Sequence, residues 1–60
     1  MAADKPTTVL IVDDVAETRE NIRKLLQFDA NVEVVGASSN GLEAIDLAIE
    51  TQPHVVLMDI

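Results

Sequence analysis

Sixty residues allow one small domain, and a chain this short buries only about 60% of its unfolded surface, near the limit of independent folding. There is no cysteine to staple it, hence also no thiolate metal site and no thiol nucleophile. Eleven acidic against four basic residues leave a formal charge of -7, which speaks against nucleic-acid binding and against an anionic membrane surface. Apolar residues make up 48% of the chain, too many for a disordered tail, and Phe28 is the only aromatic, so the core must be aliphatic. The longest apolar runs are of four or five residues, far short of a membrane span. The opening residues have no apolar stretch of the signal-peptide kind. A cytoplasmic protein is the default expectation.

In chain order, residues 1–7 read as a flexible lead-in, with Pro6 excluding regular structure. Thr8 to Asp13 follows as strand one, where Val9-Leu10-Ile11-Val12 has the unbroken apolar character of a strand buried on both faces. It runs into two adjacent carboxylates, Asp13 and Asp14. Asp14-Val15-Ala16-Glu17 has the acid-x-x-Glu spacing of a helix start. Thr18, Ile22, Leu25 and Leu26 recur at helical spacing, so helix one is predicted to about Phe28, with Asn31 as stop signal and Glu20–Lys24 as a favourable surface pair.

Val32 to Ala37 reads as strand two, with Glu33 marking a solvent-facing edge and Gly36 a bulge or a close backbone approach. Ser38-Ser39-Asn40-Gly41 reads as a turn in which Asn40 caps helix two and Glu43 completes the capping-box spacing. That helix is predicted to about Thr51, where Pro53 forces Gln52 out of helical conformation. Leu42, Ala44, Ile45, Leu47, Ala48 and Ile49 leave it only a narrow polar stripe, so it needs a second packing neighbour besides a sheet. Strand three, His54 to Asp59, ends as strand one does, in an acid.

The β-α-β-α-β pattern implies a parallel sheet with right-handed crossovers. Order 2-1-3, helices on opposite faces, is favoured over 1-2-3 because it centres the apolar strand one and leaves Glu33 at an edge. Adjacent parallel strands lie about 4.8 Å apart, so Asp13, Asp14 and Asp59 would converge at the switch point where α/β sheets bind ligands. Two bare carboxylates about 4 Å apart repel by roughly 4 kcal/mol at an effective dielectric near 20. Three such groups call for a counter-cation. Oxygen donors without His or Cys beside them select magnesium, manganese or calcium over zinc.

Val-Leu-Ile-Val-Asp-Asp, the helix around Arg19 and Leu25-Leu26, Val-Val-Gly-Ala, Asn-Gly-x-Glu-Ala and Pro-x-Val-Val-Leu-Met-Asp-Ile together resemble the receiver domain of two-component response regulators. The resemblance spans residues 8–60. It implies a flavodoxin-like sheet, of which this chain would be the amino-terminal half, cut after the third strand. It implies that Asp59 is the phosphoacceptor for a sensor histidine kinase. Asp14 and Asp59 would hold Mg2+ or Mn2+ directly and Asp13 through water. The Ser/Thr and Lys that bind the phosphoryl oxygens in the family have no counterpart here, so metal binding is expected to be weak and phosphorylation impaired, with no turnover enzyme. His54 stands where the family usually has Asp.

Other features have plainer readings. Glu17 and Glu20 are solvated first-turn acids, His54 a surface position, Gly41 and Ala44 sites of close helix packing, and Ser38 and Ser39 turn residues without a base beside them. A flavin-binding module is disfavoured because an anionic cofactor would meet three carboxylates. A different class of function is an assembly unit: with 2-1-3 order the edge Val55, Val56, Leu57 and Met58 is apolar and open, which predicts a homodimer by strand addition.

Overall fold

The computed structural model describes residues 5–59 of the chain. Strand β1 (Thr7–Asp13), helix α1 (Ala16–Leu26), strand β2 (Val32–Ser38), helix α2 (Gly41–Thr51) and strand β3 (Val55–Asp59) follow one another in the predicted alternation. The three strands are parallel, in the order β2-β1-β3. This is a flavodoxin-like half-domain. Of the expected lead-in, residues 1–4 lie outside the described residues, as does Ile60 at the other end. Thr7 belongs to β1 rather than to the lead-in: it stands opposite Val32, and its N–H donates to the Asn31 carbonyl at 2.7 Å.

The central position of β1 follows from its residues. Leu10, Ile11 and Val12 are wholly buried. Side chains alternate along a strand, so Leu10 and Val12 share a face, which packs on Ala44, Leu47 and Ala48 of α2. Ile11 points to the other face, where α1 packs on β1 and β2 with a stripe of Thr18, Ile22 and Leu26. Leu25, expected inside, is 71% exposed: a stripe spaced by four residues leaves it off the sheet. The edge assignment of Glu33 holds, since β2 has β1 on one side only.

Gly36 satisfies both of its predicted alternatives. The register slips between Val9, opposite Val34, and Leu10, opposite Gly36, so that Val35 is the extra residue of a bulge. A Cβ at Gly36 would stand 3.2 Å from the Leu10 Cδ1 atom, inside ordinary contact. Strand β2 also continues one residue past its predicted end, to Ser38, whereas β3 begins one residue late, at Val55.

Helix α1 departs from prediction at both ends. Val15, not Asp14, occupies the cap position, in extended conformation and with no side-chain cap bond. At the other end the helix closes at Leu26, and the N–H groups of Phe28 and Asp29 turn back to the carbonyls of Leu25 and Leu26. The Asp29 carboxylate accepts the Asn31 N–H at 2.8 Å, so Asp29 rather than Asn31 organises this turn. The surface ion pair is Glu20–Arg23 at 3.9 Å instead of Glu20–Lys24, a contact worth little at this exposure. Helix α2 keeps its predicted ends: Asn40 Oδ1 accepts the Glu43 N–H at 2.8 Å, and Gln52 ends the helix in left-handed conformation at φ 47°.

The two helices cover only β1 and β2. Strand β3 touches β1 alone among the described elements, and Val55, Val56, Leu57 and Met58 are 40%, 42%, 39% and 58% exposed. Leu42, Ile45 and Ile49 of α2 are exposed as well, which is the uncovered second face foreseen from its narrow polar stripe.

Candidate functional site

Strand order brings the acids together. In the parallel register Asp13 and Asp59 are direct partners at the carboxyl ends of β1 and β3, and Asp14 is the next residue of the chain. Strand β1 runs on into α1 toward β2 on one side while β3 lies on its other side, so the acids lie where the strand order reverses, at the topological switch point.

Their environments differ. Asp13 is 3% exposed, and its Oδ1 accepts the Val15 N–H at 2.8 Å. A buried carboxylate needs such partners, and this one draws the chain into the turn before α1. Asp14 and Asp59 are exposed. Arg19 reaches back from the first turns of α1, its Nη1 donating to the Asp13 backbone carbonyl at 2.7 Å.

The donor set suits a hard divalent cation in chemistry: carboxylate oxygens, no sulfur, and no imidazole within the corner. The placement is less complete. Among the described residues, no group of three or more His, Asp or Glu side chains is gathered closely enough to hold a metal ion. Asp13 and Asp59 are adjacent through the sheet, but Asp13 is turned toward Val15.

Three side chains take parts that their surroundings in the sequence did not announce. Ser38, read as a turn residue, is 2% exposed at the end of β2. Its Oγ accepts the Asn40 N–H at 3.2 Å and lies 2.8 Å from the Asn40 carbonyl and 2.9 Å from Glu43 Oε1, to which it can donate. The reciprocal half of the predicted capping box thus runs through the serine hydroxyl instead of from Glu43 to Asn40 directly. His54 is exposed, as predicted, yet it also ties β3 to β1: its Nδ1 accepts the Thr8 N–H at 2.9 Å and its own N–H donates to the Thr8 carbonyl at 3.0 Å. Arg19 carried a signal in retrospect. The residues three and four positions away on α1 are Val15, Ala16, Ile22 and Arg23, so in a strongly acidic chain this arginine has no acidic helical neighbour and must look elsewhere.

Fold and corner together define the class of protein: an α/β module with carboxylates at the carboxyl ends of its parallel strands. The chain belongs to the response regulator receiver domain family, which it matches over residues 9–60. It is 46% identical over 52 residues to a protein-glutamate methylesterase/protein-glutamine glutaminase of Carboxydothermus hydrogenoformans, covering 87% of this chain and 15% of that protein. A protein of the same description from Pseudomonas fluorescens is 45% identical over 51 residues, covering 85% and 14%. The nitrate/nitrite response regulator NarL of Escherichia coli is 33% identical over 60 residues, covering all of this chain and 28% of that protein. The chain therefore spans less than a third of the length of these relatives. No solved structure gives a significant match. No helix among the described residues is long and apolar enough to cross a membrane.

Proposed function

We propose that the chain is a phosphorelay receiver in which Asp59 accepts a phosphoryl group from a phosphohistidine of a sensor histidine kinase. The observation that carries this reading is the register that sets Asp59 beside Asp13 at the switch point, with Asp14 next in the chain. An Asp59 carboxylate oxygen attacks phosphorus, the P–N bond breaks as the O–P bond forms, and the departing imidazole takes up a proton. The product is an acyl phosphate at an exposed strand end. Asp14 and Asp59 would hold a magnesium or manganese ion directly and Asp13 through water. When bound, the ion supplies neutralisation of the carboxylates and of the charge developing on the phosphoryl oxygens. Asp13, held by Val15, fixes the turn from which Asp14 projects.

A small activity is expected, because the Asp13 carboxylate is engaged by the Val15 N–H and only Asp14 and Asp59 are exposed at the corner. Incubation with a small-molecule phosphodonor and magnesium, followed by intact-mass measurement, tests the assignment. A low-yield phosphoryl adduct on the unaltered chain and none on Asp59→Asn is expected. No adduct on the former, or equal adducts on both, overturns it.

The exposure of β3 favours a second reading for the chain on its own, that of a half-domain assembly unit. Val55 to Met58 is an uncharged edge strand with open hydrogen-bonding groups and no helix over either face. A two-fold axis normal to the sheet keeps side chains on their faces, so antiparallel pairing about Val56 sets Val55 against Leu57 of the second copy and keeps Asp59 outside the paired segment. A dimer by light scattering at micromolar concentration is expected. A well-folded monomer there refutes it.

A further inference from the structure

The Arg19 contact has a consequence for the acid corner. The carbonyl it holds at 2.7 Å belongs to the peptide unit that joins Asp13 to Asp14. On the far side of Asp14, the Val15 N–H is held by Asp13 Oδ1 at 2.8 Å. The backbone around Asp14 is thus gripped before and after the residue, while its side chain is exposed. Arg19 is itself partly buried, and the one ion pair among the described residues is Glu20–Arg23, so its guanidinium is committed to a backbone oxygen in a chain of net charge -7. A guanidinium fork set into a helix is more firmly oriented than an ammonium on a free stem.

We infer that Arg19 is a positioning residue: it clamps the Asp13–Asp14 peptide and so fixes where the exposed Asp14 carboxylate stands for a divalent cation. The inference rests on the metal-corner reading above. Groups that orient metal ligands commonly change metal affinity by ten-fold or more when removed. A cation whose only role was its charge would do the opposite. Standing near the corner it would oppose a second cation, and its removal would tighten metal binding.

The experiment compares the unaltered chain with Arg19→Met and Arg19→Lys, using Mn2+ titration and residue-resolved amide hydrogen exchange. Arg19→Met should bind Mn2+ roughly ten-fold more weakly, and its Val15 amide should exchange about ten-fold faster, with the Ile11 amide unchanged. Arg19→Lys, which keeps a charged donor on a less firmly oriented stem, should recover part of both. Tighter Mn2+ binding by Arg19→Met, or an unchanged Val15 amide, overturns the inference. Should the unaltered chain bind no Mn2+, the metal reading fails, while the Val15 exchange still decides whether Arg19 holds this turn. Should Arg19→Met not fold, NMR of the unaltered chain decides. A clamped guanidinium gives slow, separately resolved Nη protons for Arg19 but averaged ones for the exposed Arg23, and averaged signals from both refute the clamp.

Discussion

Replacing Asp59 by Asn removes one of two acids that are paired in register across β1 and β3. Parallel strands are about 4.8 Å apart. Two unit charges about 5 Å apart repel by roughly 3 kcal/mol at an effective dielectric near 20. Asp59 is exposed, so solvent and salt reduce the realised repulsion to about 1 kcal/mol. Without divalent cations, Asp59→Asn should therefore be more stable than the unaltered chain by about 1 kcal/mol, a rise in Tm of roughly 4–8 °C for a domain of this size. A cation that binds only the folded form adds about 1.4 kcal/mol at ten times its Kd. Magnesium should thus stabilise the unaltered chain, leave Asp59→Asn almost unmoved, and close or reverse the gap between them. Urea denaturation in chelator and in magnesium measures all four values. If Asp59→Asn is the less stable protein in chelator, or gains as much from magnesium, the facing-carboxylate argument is wrong.

Ser38→Ala should cost about 1–3 kcal/mol, since a buried hydroxyl with three polar neighbours is lost. Asn40→Ala should cost about 1 kcal/mol, and a double-mutant cycle in urea should show strong coupling because both residues act on the same helix start; additive losses would contradict the relayed cap. His54→Ala should cost about 1 kcal/mol and speed exchange of the Thr8 amide, while His54→Asn, which offers an acceptor of similar reach, should lose less. Gly36→Val should cost about 1–3 kcal/mol by overpacking against the buried Leu10, read as a lowered denaturation midpoint; a neutral result would mean that Leu10 has room to rotate.

The alternation of elements, the parallel sheet and its 2-1-3 order were legible because each leaves a local trace. Val9 to Val12 has no polar position and so must be central; Glu33 needs water and so must be at an edge. Asn40 and Pro53 mark the ends of α2 through interactions within a few residues. The receiver family was equally legible, since its motifs are short runs at fixed positions. Where the prediction failed, burial at a strand end chose among neighbouring groups whose spacing alone left several partners open. Asp14 had the spacing of a cap, but Asp13 took the Val15 N–H because the end of β1 buries its carboxylate there. Glu43 had the spacing to complete a capping box, but the bulge at Val35 and the continuation of β2 delivered the Ser38 hydroxyl between the two partners.

The sequence alone determined which residues are acids at strand tips and that two such tips exist. Tertiary structure decided that Asp13 is buried while Asp14 and Asp59 are open, and that Arg19 grips the peptide between Asp13 and Asp14. Register and side-chain direction depend on contacts between residues distant in the chain, and no local spacing encodes them.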